Sequence, residues 1–320
     1  MTDDSLLRGS ADRGVRLLAL ALLANTRNAG ARLTGAADDG ARDDALHDFR
    51  VAQRRLRSWL RAFTPWFNDS LSRKRRRRLG EIADATGVAR DATVHIEWLH
   101  GEQRGMGARQ RVGGEWLRKR LANRRTHGMA AALSAAADFD AMAPKLERTL
   151  GRYWRDVSAE EPPGLGVALA ARLLEESASL RAHLAAIADH VDVDEVHRAR
   201  IAAKRLRYVV EPVAMLTVDG ESIIERLKSL QDALGDLHDV HVFSKEVATA
   251  TEDADAEARP GLARLARRLE ARGSRAYAGV AEEWLSGAGA PFFAAVEAVA
   301  SDLEHRATPP NCRATRSRDP

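Results

Sequence analysis

Among 320 residues there is a single cysteine, Cys312. One thiol excludes an intramolecular disulfide and any zinc site built from several cysteines. Aromatic residues reach only 5%, too few for stacking a long run of nucleic-acid bases. The longest apolar run, Leu17–Ala24, falls well short of the roughly 20 residues of a membrane span. Arg13 and Arg16 precede that run, but Asp3, Asp4 and Asp12 stand where a secretory signal is basic. Residues 10–33 therefore read as an amphipathic helix and the chain as cytoplasmic. Lysine is also scarce: 6 lysines accompany 44 arginines, and 46 acidic residues bring the formal net charge to +4. A GC-rich genome accounts for a general preference for arginine. The guanidinium is also a planar, permanently charged fork suited to phosphate or carboxylate. Where the arginines fall decides between these readings.

What is abundant is helical periodicity. Apolar residues recur at spacings of three and four, with breaks at Gly and Pro clusters. The pattern predicts helices over 10–33, 44–64, 69–104, 108–138, 141–157, 167–190, 194–216, 220–250, 257–286 and 291–306. Residues 158–166, containing Pro162-Pro163, read as a linker, and 307–320 as a disordered tail. Long amphipathic helices with short connections predict an all-α fold of antiparallel bundles.

The chain also repeats itself. Asp44-Ala-Leu-His-Asp-Phe-Arg-Val-Ala-Gln-Arg-Arg-Leu-Arg57 aligns with Asp194-Glu-Val-His-Arg-Ala-Arg-Ile-Ala-Ala-Lys-Arg-Leu-Arg207 at an offset of 150. Further on, Leu79–Asp91 aligns with Leu227–Asp239 at an offset of 148, with Leu79/Leu227, Asp84/Asp232, Ala85/Ala233, Gly87/Gly235 and Asp91/Asp239 identical. Two matches in one order predict two copies of a helical unit, 1–157 and 167–306. A pseudo-two-fold axis between them follows.

On a helical wheel, His47, Arg50, Arg54, Arg57 and Arg61 fall within roughly 80° of arc. Phe49, Ala52, Leu56, Trp59, Leu60 and Phe63 face the other way. His197, Arg200, Lys204 and Arg207 occupy the same arc in the second copy, opposite Leu206, Val209, Val210 and Val213. Asp44 and Asp194 are the expected N-caps, placing each histidine in a first turn. An ordinary solvated face mixes signs, because like charges at i,i+4 repel. A one-sign stripe that occurs twice calls for compensating anions. Asp84, Asp91, Asp232 and Asp239 are the internal candidates, positioned to orient arginines but too few to neutralise them. The remainder predicts a site for a polyanion.

The run Arg73–Arg78 spreads around its helix; Arg73 and Arg77 share a face with Asp84 and Asp91. Arg118, Lys119, Arg120, Arg124 and Arg125 form another basic cluster of low specificity. His238 and His241 flank Asp239, but no H-E-x-x-H or comparable ligand set occurs, so no metal site is expected. No phosphate-binding P-loop and no nucleophile elbow is present.

At the doubled H-x-x-R-[VI]-A-x-[RK]-R-L-R helices the chain resembles the CHAD family of histidine-containing α-helical domains, over about residues 10–306. The resemblance implies two four-helix bundles about a pseudo-two-fold axis with a basic central surface or pore. It also implies binding of inorganic polyphosphate, and in some members association with polyphosphate or storage granules; with no catalytic constellation in the sequence, a non-enzymatic protein without a cofactor is expected. Matching motif positions assigns binding to His47, Arg50, Arg54, Arg57, His197, Arg200, Lys204 and Arg207, and Arg61, which continues the stripe, is expected to join them. Arg73, Arg77, Arg90, Lys228 and His238 are expected as secondary phosphate contacts. Glu211 stands where the first copy has Arg61, and His238 where it has Arg90, so the second half is less basic. The alternatives are a basic nucleic-acid-binding helical protein and a metal-dependent polyphosphate hydrolase or kinase using Asp84 or Asp232.

Overall fold

The computed structural model describes residues 3–67, 70–103, 105–152, 163–285 and 287–308. Eleven α-helices carry the described chain: α1 (Asp3–Arg8), α2 (Ala11–Thr34), α3 (Asp39–Ala62), α4 (Arg73–Ala85), α5 (Gly87–Gln103), α6 (Ala108–Leu150), α7 (Leu165–Ala186), α8 (Val193–Val210), α9 (Gly220–Asp253), α10 (Arg259–Trp284) and α11 (Ala290–Ala307). Short 3₁₀ turns, Thr64–Phe67 and Glu211–Leu216, follow α3 and α8. Among the described residues the one β-type contact is an isolated bridge between Ser10 and Gly164. The all-α class expected from periodicity is the one observed.

Several boundaries differ from the expectation, each for a local reason. The helix expected to begin at Asp44 begins at Asp39 instead, because Asp38 is the N-cap, its carboxylate accepting the Ala41 amide at 2.8 Å. Asp192 rather than Asp194 caps α8, accepting from Glu195 N. His47 and His197 therefore lie beyond the first turn. The segment 69–104 divides at Thr86, which is buried and whose hydroxyl donates to Ala83 O at 2.6 Å. A hydroxyl bonded to its own helix backbone competes with the ladder there. The equivalent of Thr86 in the second copy is Leu234, fully buried and apolar, and α9 runs through without a break. Conversely, the expected break near residue 139 is absent. Phe139 is buried edge-on against Phe49, centroids 5.8 Å apart, and α6 continues through Pro144 to Leu150. Packing on both sides of the proline, at Ala143 and Leu146, holds the helix against the loss of one backbone bond. Most of the expected linker, the end of the 141–157 helix and nearly all of the 307–320 tail lie outside the described residues.

α2 packs on α3 and α6, and α5 on α6; α7 packs on α8 and α11, and α9 on α8 and α10. Apolar residues of both repeats share one large core, from Leu7 and Trp59 to Leu206 and Leu303. A second, smaller core joins Leu99, Leu117 and Leu121 to Phe243, Val247 and Leu265. The two halves thus have no separate interiors. His95 and Phe243 occupy equivalent positions at the 148 offset, and their rings stack on each other with centroids 4.4 Å apart. Equivalent residues of the two copies thus meet in the interior. The repeated helices α3 and α8 also pack against one another, their charged stripes bordering a shared space.

The junction of the halves is tied by main chain. Ala11 N donates to Pro163 O at 3.0 Å and Leu165 N to Gly9 O at 2.8 Å. Close by, Arg306 of α11 donates to Asp4 at 2.8 Å and Arg8 donates to Arg306 O at 3.1 Å.

Candidate polyanion site

The apolar faces of α3 and α8 determine where their arginines go. Phe49, Leu56, Trp59 and Leu60 are buried, with Trp59 Nε1 donating to Val15 O at 3.0 Å. Val209, Leu206, Val210 and Val213 are buried likewise. With those faces anchored, the opposite stripes line two cavities. The first, about 430 Å³, is lined by His47, Arg50, Arg54, Arg90, Asp91, Val94, His95, Arg200, Lys204, His238, Asp239 and Val242. The second, about 450 Å³, is lined by Arg54, Arg57, Ser58, Leu60, Arg61, Arg76, Leu79, Ile201, Lys204 and Arg205. Arg54 and Lys204, equivalent residues of the two copies, belong to both walls.

The second repeated segment explains how the arginines are seated. A Cβ on Gly87 would lie 3.6 Å from Nη1 of Arg50, and one on Gly235 would lie 3.9 Å from Nε of Arg200. In both copies the shared glycine leaves space for the shared arginine to lie along the neighbouring helix. The shared aspartate follows one turn later: Asp91 acts electrostatically on Arg50, and Asp239 on Arg200. Arg50 also donates to Thr86 Oγ1 at 3.0 Å. Nothing equivalent holds Arg200, whose buried Nε makes no hydrogen bond among the described residues; His238 Nδ1 makes none either.

The electrostatics of the first cavity disfavour the cations that line it. Burial, then the charges of Arg200 and Arg54, pushes Lys204 down to about 6 from 10.5. Burial, then Arg200, His197 and Lys204, pushes His238 down to about 3. His47 and His197 are lowered by burial and neighbouring arginines, and Arg50 and Arg200 chiefly by burial. Asp239 is raised, because the cost of burying its charge exceeds the help from Arg200 and Lys204. Two aspartates against this many cations leave the pocket short of negative charge. An anion entering it would reverse the repulsion and favour the charged forms.

The expected residues are not all brought together. His47, Arg50, Arg54, Arg200, Lys204, Arg90 and His238 share the first cavity, and Arg57 and Arg61 border the second. His197 lies beside His238, ring centroids 4.9 Å apart, at the edge of the first. Arg207 lines neither; it lies over the Tyr208 ring and 3.5 Å from Glu211. Glu211 also pairs with Arg55 at 2.9 Å, so the residue that breaks the repeat's charge pattern links α3 to the second half. Arg73, Arg77 and Lys228 are exposed and away from both cavities, Arg77 beside Glu81 at 3.4 Å. Asp84, Asp91, Asp232 and Asp239 form no ion pair within 4.0 Å of any arginine among the described residues. Asp84 acts on Arg57 at longer range. Asp91 on α5 and Asp239 on α9 line the first cavity, whereas Asp84 on α4 and Asp232 on α9 are exposed and line neither.

Three charged or titratable lining residues were not anticipated. Arg205 follows Lys204 in the motif, and its charge is disfavoured by burial and by Arg61, with the buried Glu176 opposing. Its signal lay in the motif's third basic position, filled by Arg55 and Arg205. Arg76 was hidden inside the Arg73–Arg78 run; it donates to Thr64 Oγ1 at 2.5 Å and is lowered by burial. His95 had no signal: it fell inside the helix expected over 69–104, and its neighbour Phe243 is 148 residues away. The cluster at Arg118–Arg125 is largely paired: Arg118 with Glu115, Arg120 with Asp253 and Glu246, Arg124 with Glu246, Arg125 with Asp43. No group of three or more His, Cys, Asp and Glu among the described residues is placed to hold a metal ion. Among the described residues no helix is long and apolar enough to cross a membrane.

Comparison with known proteins places this arrangement in a class. The model of the CHAD domain matches residues 21–248, and the chain belongs to the CHAD domain family, a family associated with polyphosphate. Among solved structures it is similar to PptA from Streptomyces chartreusis, with a TM-score of 0.64 at 19% identity over 86% of this chain and 99% of that one. It is also similar to the CHAD domain from the plant Ricinus communis, with a TM-score of 0.58 at 18% identity over 92% of each chain. At these identities the likeness speaks for the fold. No curated protein matches the chain.

Proposed function

We propose that this protein binds inorganic polyphosphate, without transforming it, along the basic cavities between α3 and α8. The observation that carries the reading is the convergence of Arg50, Arg54, Arg90, Arg200 and Lys204, with His47 and His238, on one cavity that holds only Asp91 and Asp239 in return. Charge-assisted hydrogen bonds from arginine, lysine and protonated histidine suit successive phosphoryl oxygens, and guanidinium forks bind two at a time. Arg54 and Lys204, shared by both walls, would let one chain contact both cavities. The two repeats, 1–157 and 167–306, contribute comparably to the first cavity, while the first repeat dominates the second through Arg54, Arg57, Arg61 and Arg76. Binding the polymer would also place the chain on polyphosphate granules in the cytoplasm.

The test is a calorimetric titration with long-chain polyphosphate, with phosphate release followed in the same sample. Binding without release is expected, and Arg54→Glu combined with Lys204→Glu should abolish it while circular dichroism stays helical. Unchanged binding by that folded double variant would overturn the site. Competition at matched charge and physiological salt addresses a nucleic-acid role: polyphosphate should displace DNA and RNA. Magnesium-dependent release, lost on Asp84→Asn or Asp232→Asn, would instead mark a hydrolase.

A further inference from the structure

The largest cavity among those described lies elsewhere. It encloses about 700 Å³ and is lined by Asp12, Arg16, Pro65, Trp66, Ser70, Arg75, Lys145, Arg148, Thr149 and Arg152. It joins the start of α2, the turn after α3, the start of α4 and the end of α6, all within the first repeat. None of its residues lines the α3–α8 cavities.

Its charges are arranged in two layers. Arg16 is internal and structural: it donates to Asp12 at 2.8 Å, Ser70 Oγ at 3.2 Å and Trp66 O at 2.8 Å. Arg75 is different. It donates to Ser70 O at 3.3 Å and Thr149 Oγ1 at 2.9 Å, both neutral acceptors, and no carboxylate lies within 4.0 Å of it among the described residues. Neutral oxygens orient a guanidinium without cancelling its charge. Lys145 and Arg148 on the last turns of α6, and Arg152 just beyond its end, present three further exposed cations, and none has an ion-pair partner within that distance among the described residues. A helix C-terminus favours one or two nearby cations through its dipole. A row of three facing a fourth, seated guanidinium exceeds that need.

Arg75 also resolves the run Arg73–Arg78. Adjacent residues of α4 go separate ways: Arg75 into this cavity, Arg76 into the α3–α8 cavity, and Arg78 to Asp138 and Glu81. The run supplies two sites, which is why no single face accounted for it.

We infer that the cavity bounded by Arg75, Lys145, Arg148 and Arg152 is a second anion site, taking a compact, multiply charged oligophosphate group. That group is found in inorganic tripolyphosphate and in the phosphate tail of a nucleoside triphosphate. The site stands independently of the polyphosphate reading of the α3–α8 cavities.

Sodium tripolyphosphate is titrated by calorimetry into the full chain and into Lys145→Glu/Arg148→Glu, whose substituted positions are exposed. One binding event per chain is expected to disappear, or to weaken at least tenfold, in the double variant, while long-chain polyphosphate still binds at α3–α8. The reciprocal variant, Arg54→Glu/Lys204→Glu, should keep this event. Tripolyphosphate binding that is unchanged by Lys145→Glu/Arg148→Glu, or that is lost only with Arg54→Glu/Lys204→Glu, overturns the proposal. ATP in place of tripolyphosphate separates the sources: tighter binding points to a nucleotide held beside Trp66, equal or weaker binding to the inorganic form.

Discussion

Lys204 is the residue on which the site's chemistry turns. Its native value of about 6 lies below the usual 10.5. Between those values the unfolded chain holds a proton that the native chain does not. Stability from this group therefore rises as pH increases through the window and is lost as pH falls toward 6. Thermal melts of the ligand-free protein should shift upward between pH 6 and 10, and Lys204→Met should flatten that trend. At pH 7 the native protein holds this buried amine largely unprotonated, and replacing it by an apolar side chain should also stabilise the protein there by about 1–3 kcal/mol, measured by denaturant unfolding. The same side chain should take up a proton when an anion binds. Titrations in two buffers of different ionisation enthalpy should therefore differ in apparent heat at pH 7, and Lys204→Met should remove most of the difference. This part of the site was half legible in the sequence. The stripe named the cations, but only the depth of the cavity shows that Lys204 pays an electrostatic penalty for its place.

At the scale of the element, the glycines of the second segment carry a specific consequence. Gly235 lies inside α9, with Arg200 as its nearest side-chain neighbour, and a larger side chain there would occupy the space the guanidinium uses. Gly235→Leu should thus weaken polyphosphate binding at least several-fold while leaving helicity unchanged or higher, since glycine within a helix costs about 0.5–1 kcal/mol. A fall in helicity that tracked the fall in binding would refute the seating role. Thr86→Val in the first copy should remove the hydroxyl bond to Arg50 and destabilise by about 1 kcal/mol, read by chemical denaturation. Element boundaries were less legible than faces. The sequence pointed to Asp44 as the cap of this helix, and the structure places the cap six residues earlier, at Asp38. The division at Thr86 and the continuity through Pro144 depended on partners distant in sequence, which a local pattern does not contain. Arg207 had the right angle on the wheel but was captured by Glu211 one turn on, a neighbour visible in the sequence whose pull a wheel does not weigh.

At the scale of the molecule, net charge conceals where charge lies. The outer arginines are largely paired, as with Arg181 and Glu297, Arg272 and Asp236, and Arg27 and Asp140. The cavity arginines face few carboxylates. Binding should therefore weaken steeply with salt, by about 0.7 in log K per tenfold change in salt for each phosphate contacted, as for single-stranded nucleic acids. It should strengthen with polymer length until both cavities are spanned. A filter-binding series across 50–300 mM salt, about a sixfold range chosen to resolve such a slope, checks the first point. A slope near zero would argue against phosphate contacts. The doubled motif made this global arrangement legible in outline, because a stripe that recurs at a fixed offset implies two helices related to each other. The shared cores and the stacking of His95 on Phe243 were not legible, since each joins residues that no local pattern connects.

The backbone bonds between Gly9, Ala11, Pro163 and Leu165, with Arg306 on Asp4, bring the start of each repeat and the end of α11 to one corner of the molecule. The path of the chain is therefore almost a closed loop. A circularly permuted protein that begins at α7, runs through α11, crosses a short splice to α1 and ends with α6 would have the same neighbours at every position. It should fold and keep its cavities, because nothing in their geometry depends on which repeat is made first.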